Sequence, residues 1–224
     1  FTIVKKNMDY VKKIKELKYF SLKNNNSVAL LFPEKYVSTN IVPKISSNKN
    51  KNYLTRLKVL ETILANTKKR DLIIATTGKT SRELYYLRNK NKAKFDDLYV
   101  VGGMGHASSI VLGMAETLKN KKIFLLDGDG ALLMHMGILS LVKRNRNNLL
   151  VHILLNNECH DSVGGQPSTI SNVNLSHLSK AFHYDNYLKI KSLKKLIDFL
   201  RNVKNKKSNN FINIEICKGS KPNL

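Results

Sequence analysis

The sequence predicts an α/β fold, a doubly wound parallel sheet flanked by helices, and three observations carry that prediction. Short apolar runs alternate with segments of helical period from about residue 53 onward. The two longest runs, at 123–126 and 149–155, are almost uninterrupted, as strands covered on both faces are. Each of these runs ends in small or polar residues, Gly128-Asp129-Gly130 after the first and Asn156-Asn157 after the second. A helix-like segment separates them, so both endings fall at the carboxyl edges of neighbouring parallel strands, where open α/β sheets bind ligands.

The elements follow in order. Residues 8–22 set Val11, Ile14, Leu17 and Leu22 at amphipathic-helix spacing with lysines between them. Residues 27–32 (SVALLF) read as a short buried strand stopped by Pro33. Residues 34–52 are polar, contain Pro43 and lack periodicity, which is linker composition. A helix over 53–67 carries Leu57, Leu60, Ile63 and Leu64 on one face. Strands are then expected at 71–76, 98–101, 123–126, 149–155, 187–190 and 211–217, and helices at 79–88, 107–118, 132–143, 175–182 and 192–202. The expected organisation is therefore 1–33 as the tail of an earlier domain, 34–52 as linker and 53–224 as the main domain. Both ends read as cut, since Phe1 is not an initiator and the first helix and strand stand alone.

Composition narrows the classes. At 224 residues and 42% hydrophobic content the chain is long enough to bury a full core. No apolar run approaches the roughly 18–20 residues that span a bilayer, and no secretory leader pattern is present. Cys159 and Cys217 alone make neither a disulfide framework nor a zinc pattern, so a reduced, cytoplasmic setting is expected. The net charge of +23, from 39 Lys and Arg against 16 Asp and Glu, invites a nucleic-acid reading. The lysines, however, are spread along the chain and interleaved with asparagine (Asn48-Lys49-Asn50-Lys51-Asn52), without the aromatic or glycine pattern of a nucleic-acid module. No specific nucleic-acid partner and no membrane partner are expected, although the charge favours an anionic substrate.

A carboxylate, an amide oxygen and glycine backbone at one sheet edge suit a small hard cation bridging to a diphosphate, because Mg²⁺ prefers oxygen ligands and glycine lets backbone approach phosphate. Thr76-Thr77-Gly78 forms a second strand-to-helix turn able to offer N–H groups to an anion. Gly102-Gly103-Met104-Gly105-His106 is a glycine turn with one bulky residue, Met104, which serves either as core filler or as part of a site. The loop 158–166 is dense in polar groups, and His160 beside Asp161 reads either as an acid/base group or as a solvated loop residue.

Taken in order, TGKTSREL, GGMGHASSIVLGMA, LDGDGALLMHMG and NNECHDSVGGQPST resemble the phosphonopyruvate decarboxylase family of thiamine-diphosphate enzymes. The resemblance runs from about residue 57 to 224 and is close around 102–168. The related sulfopyruvate decarboxylases share the SREL, MG and DGDG segments but typically carry Asp-Asn where this chain has Asn156-Asn157, and an aromatic-Gly where it has His160-Asp161.

The resemblance implies the thiamine-diphosphate-binding fold, thiamine diphosphate and Mg²⁺ as cofactors, and decarboxylation of 3-phosphonopyruvate, a small anionic 2-oxo acid, to phosphonoacetaldehyde and CO₂. Sulfopyruvate or another 2-oxo acid, or a non-catalytic cofactor-binding fragment, are the alternatives. By position, Asp129, Asn157 and the carbonyl of Cys159 would hold Mg²⁺, while Thr77, Gly78, Gly128, Gly130 and Ala131 would meet the diphosphate. Met104 would support the cofactor's bent shape and the Gly102 carbonyl would take its 4′-amino group. His160 and His106 are the catalytic candidates, and Ser162 and Gln166 the substrate-binding ones. The family completes its site with a pyrimidine-binding domain, usually from another subunit, that supplies an activating Glu. In this chain 1–33 would be a C-terminal remnant of that domain, and neither Glu16 nor Glu34 stands in the context of the activating residue. The implied whole protein is a homo-oligomer.

Overall fold

The computed structural model describes residues 1–33, 36, 54–90, 97–118, 120–144, 149–203 and 206–219. Two compact units divide the chain, Phe1–Ser46 and Ser47–Leu224.

In the first unit β1 (Thr2–Ile3) and β2 (Leu30–Leu31) pair in parallel, with α1 (Tyr10–Asn24) between them in the chain. The Asp9 carboxylate caps α1, accepting the Lys12 N–H at 2.9 Å, so the helix starts two positions later than its apolar spacing implied. Asn25 closes it with a φ of 51°. The expected strand at 27–32 shrinks to two residues, and β1 is too short to have shown alternation. The expected linker, Tyr36 aside, lies outside the described residues.

The second unit carries the expected fold. Its strands are β3 (Leu72–Ala75), β4 (Leu98–Tyr99), β5 (Ile123–Gly128), β6 (Leu150–Asn156), β7 (Asn186–Ile190) and β8 (Asn210–Glu215). They form one parallel sheet in the order β4-β3-β5-β6-β8-β7. Helices α2 (Arg56–Asn66), α3 (Lys79–Lys90) and α7 (Leu193–Val203) pack with Ile73, Ala75, Phe124, Leu126, Val151 and Ile153. Helices α4 (Ala107–Thr117) and α6 (Leu175–Ala181) pack with Ile74, Ile123, Leu125 and Leu154. Successive strand residues thus feed opposite layers, as the two-residue period of a strand requires.

The order of the strands positions the site. From β3 the chain moves outward to β4, then returns to lay β5 on the other side of β3 and continues away from it. The crevice at that reversal opens between the ends of β3 and β5.

One expected element breaks in two. Instead of a single helix over 132–143, α5 (Asp129–Met134) starts directly after Gly128 and ends at His135, whose φ and ψ of −135° and 34° leave helical space. A 3-10 helix, Met136–Arg144, continues. His135 packs over Gly105, and its ring lies 4.2 Å from that of His106, so tertiary packing overrides the local period.

Candidate active site

A cavity of about 390 Å³ opens at the carboxyl edge of the sheet. Three strand ends and one loop build it. After β3 come Thr76, Thr77 and Gly78, with Gly78 at a φ of 90°, leading into α3. After β5 come Gly128, Asp129, Gly130 and Ala131. After β6 come Asn157 and the loop residues Cys159, His160, Asp161 and Ser162, and Met104 closes a further side. The register pairs Gly128 with Leu155, so the Gly-Asp turn and the Asn pair sit side by side.

Asp129 is 3% exposed and accepts the Ser168 hydroxyl at 2.5 Å. Burial pushes its carboxyl pKa up, against the hydrogen bonds from Ser168 and the Gly130 N–H and the nearby His160, which lower it. A buried carboxylate lining a cavity is the environment a cation relieves. Among the described residues no three His, Cys, Asp or Glu side chains converge as a metal cluster. The donors at this edge are instead a carboxylate, an amide oxygen and backbone carbonyls, hard oxygen ligands that fit Mg²⁺.

The loop is held by its own hub. Asp161 accepts from Arg56 Nη2 at 2.7 Å, Asn157 Nδ2 at 2.5 Å, Cys159 Sγ at 3.0 Å and the Gly219 N–H at 3.2 Å. Burial acts to raise the Asp161 pKa, but the hydrogen bonds from Cys159 and Arg56 and the Arg56 charge hold it below its ordinary value. Burial and the Asp161 carboxylate push the Cys159 thiol up to about 12. Arg56, 6% exposed, also pairs with Glu83 at 3.4 Å.

The glycines are steric requirements. A Cβ on Gly130 would stand 2.5 Å from His160 Cε1 and 3.2 Å from Met104 Cε, so imidazole and thioether close directly over that backbone. A Cβ on Gly78 would stand 2.5 Å from Ser162 Oγ, which accepts the Lys79 N–H at 3.3 Å. Behind the edge, Asp127 accepts the Gly128 N–H at 2.9 Å and lies 3.3 Å from His152 Nε2, while His152 Nδ1 meets the Tyr184 hydroxyl at 2.7 Å. This buried chain anchors the turn that presents Asp129.

Thr77, Gly78, Met104, Gly128, Asp129, Gly130, Ala131, Asn157, Cys159, His160 and Ser162 all line the cavity as a set. Gly102, His106 and Gln166 are not among its lining residues. His106 is exposed, with Nδ1 3.2 Å from the Met104 carbonyl and its ring on His135. Gln166 is exposed, turns its side chain back on Gly164 and accepts the His160 N–H through its backbone. Four residues of the site were given no role by the sequence: Arg56, which lies outside every motif, Lys79 and Arg82 within TGKTSREL, and Ser168 within NNECHDSVGGQPST. Arg56 left a different signal, since a charged residue falls in phase with the buried Val59, Leu60 and Ile63 of α2.

Comparison with known proteins gives a family and several relatives. The family described as "Thiamine pyrophosphate enzyme, C-terminal TPP binding domain" matches residues 76–213. A phosphonopyruvate decarboxylase of Streptomyces hygroscopicus is 39% identical over 130 residues, 58% of this chain and 31% of that protein. The match therefore spans about a third of that relative's length. The sulfopyruvate decarboxylase subunit beta of Methanocaldococcus jannaschii is 31% identical over 134 residues, 59% of this chain and 69% of that subunit. Among solved structures, benzoylformate decarboxylase from Polynucleobacter necessarius superimposes with a TM-score of 0.61 at 18% identity, covering 75% of this chain and 34% of that one. That last likeness is one of fold.

Proposed function

The chain belongs to the thiamine pyrophosphate enzymes, as a C-terminal TPP-binding domain, and from that premise we propose that it serves the thiamine-diphosphate- and Mg²⁺-dependent decarboxylation of 3-phosphonopyruvate to phosphonoacetaldehyde and CO₂. The observation that carries the reading is the juxtaposition of Asp129 and Asn157 at adjacent strand ends on one cavity, with glycine backbone beside them.

In this reading Asp129, Asn157 and the Cys159 carbonyl hold Mg²⁺. Thr77, Gly78, Gly128, Gly130 and Ala131 meet the diphosphate, and Met104 and the Gly102 carbonyl support the rest of the cofactor. Thiamine diphosphate supplies, when bound, a carbon nucleophile and an electron sink for the departing carboxylate. The protein's own contribution is to bind, orient and move protons. His160, over Gly130, is the acid/base candidate nearest the cavity. His106 is the second catalytic candidate, and Ser162 and Gln166 are the substrate-binding ones. Lys79 and Arg82 add positive charge to the lining for a dianionic phosphonate.

The domain reading goes with the function. Residues 1–33 are the end of a pyrimidine-binding domain, 34–52 a linker and 53–224 the diphosphate- and metal-binding domain. The complete site uses a pyrimidine-binding domain from another subunit of a homo-oligomer in the cytoplasm. Among the described residues no helix is long and apolar enough to cross a membrane.

Sulfopyruvate is the second substrate reading, favoured by the 69% coverage of a relative named as a beta subunit. The test is CO₂ release from phosphonopyruvate and sulfopyruvate, side by side, with Mg²⁺ and thiamine diphosphate, by this chain supplied with a pyrimidine-binding partner. Turnover of phosphonopyruvate alone is the expected result. Preference for sulfopyruvate overturns the substrate, and silence with both overturns the catalytic reading.

A further inference from the structure

We infer that Asp161 is a positioning residue for the metal site, one that fixes which end of the Asn157 amide is offered to a cation. The inference rests on the cofactor reading above and concerns a residue outside the metal-binding set.

An ionised carboxylate only accepts hydrogen bonds, whereas an amide carries donors at one end and an acceptor at the other. The two ends are nearly isosteric, so the orientation of an Asn side chain is decided by its partners. Asp161 Oδ2 takes Asn157 Nδ2 at 2.5 Å. Turning the amide over would set its oxygen against that carboxylate oxygen, with repulsion replacing a charge-assisted bond. The orientation with nitrogen toward Asp161 leaves Oδ1 as the amide's ligating end. That oxygen accepts the Cys159 N–H at 3.3 Å and has a second lone pair for a cation.

Asp161 is itself held from three other directions. Arg56 Nη2 stands 2.7 Å from Oδ2, Cys159 Sγ 3.0 Å from Oδ1, and the Gly219 N–H 3.2 Å from each oxygen. Its side chain is 8% exposed and that of Arg56 is 6%, so water competes little with this arrangement. Donors reach both oxygens, and an isosteric amide at 161 would turn its own NH₂ toward one set of them. Asp161→Asn therefore breaks the hub with almost no change in volume.

Two measurements test the assignment. The first is Mn²⁺ affinity in the presence of thiamine diphosphate, followed by electron paramagnetic resonance on the full chain and on Asp161→Asn. An outer-partner residue of this kind changes metal affinity by about 10–100-fold. The expected result is a loss in that range with near-ultraviolet circular dichroism unchanged. Affinity within about threefold of wild type in the folded variant overturns the role. The second uses the wild-type chain without metal and needs no variant. The Asn157 side-chain NH₂ protons, assigned by NMR, are expected to exchange slowly with solvent and to keep a single orientation. Rapid exchange like that of a free amide overturns the proposal even where the variant does not fold. Wild-type protein that takes up no Mn²⁺ while keeping a protected Asn157 amide sinks the cofactor reading, and this role with it, but leaves the Asp161–Asn157 bond standing.

Discussion

The Ser168 hydroxyl donates to Asp129 Oδ2 at 2.5 Å, with both residues at least 94% buried. It is the side-chain contact that opposes the effect of burial on the Asp129 carboxyl. The direction of the shift fixes a pH dependence. A carboxyl whose folded pKa lies above its unfolded value contributes stability that is fully present below the unfolded value and is lost as pH rises through the folded one. Above the unfolded value, burial of this carboxyl therefore costs the metal-free protein stability. Asp129→Asn removes that cost while leaving an oxygen to accept from Ser168. Thermal unfolding of the variant at pH 7 is expected at a higher temperature than wild type, and the difference should close below about pH 4. Mg²⁺ with thiamine diphosphate should raise the wild-type midpoint and leave that of the variant unmoved.

Gly130 bears on the same site from the steric side. Its absent Cβ would stand 2.5 Å from His160 Cε1 and 2.6 Å from Nδ1, inside any tolerated contact. Gly130 lies in α5, where alanine suits the backbone, so Gly130→Ala acts through crowding alone. The ring must swing away, at a cost of about 1–3 kcal/mol, the range for overpacked sites. Urea unfolding measures that cost. The paired expectation is a weaker affinity for thiamine diphosphate, since the methyl group also lies 3.2 Å from Met104 Cε.

The runs at 123–126 and 149–155 were legible as strands because both faces of the sheet are covered, which makes them continuously apolar, and the Gly-Asp-Gly and Asn-Asn endings marked the crevice between them. Parallel order followed from the helices between strands. The break at His135 was not legible, because it depends on the His106 ring and on Gly105, a contact between segments that local period ignores. Ser168 was silent for a similar reason. One hydroxyl in a polar loop looks like any other until the fold brings it to Asp129. Asp161 was visible as a neighbour of His160, yet its role as an acceptor for four partners needed Arg56 and Gly219, far off in sequence. Local chemistry was readable, and long-range pairing of polar groups was not.

The two cysteines should differ in reactivity. Cys159 is 4% exposed, and burial together with the Asp161 carboxylate pushes its thiol up to about 12. The thiolate is the reactive form, so at pH 8 Cys159 is both shielded and protonated. Iodoacetamide on the native protein should modify Cys217, which is partly exposed, and spare Cys159 until denaturant is added. Peptide mass mapping before and after unfolding distinguishes the two sites. Native modification of Cys159 at a rate matching Cys217 would contradict the buried hub.

Arg56→Ala is the most damaging single change expected outside the hydrophobic core. Arg56 lies between Asp161 at 2.7 Å and Glu83 at 3.4 Å, with side-chain exposures of 6% for Arg56, 8% for Asp161 and 1% for Glu83. Removing one partner of a buried ion pair leaves the other charge uncompensated, which costs about 3–5 kcal/mol. The pH dependence carries the signature. Arg56 helps hold the Asp161 carboxyl below its ordinary value. Stability from a depressed carboxyl pKa is present above the unfolded value and is lost as pH falls through the folded one. The gap between wild type and Arg56→Ala in urea unfolding should therefore be widest at high pH and narrow as pH falls, first as Asp161 is protonated in the variant, where Arg56 no longer opposes the effect of burial, and then in the wild type. A gap that stays constant as pH falls would mean that Arg56 acts through the packing of its aliphatic stem rather than through its charge.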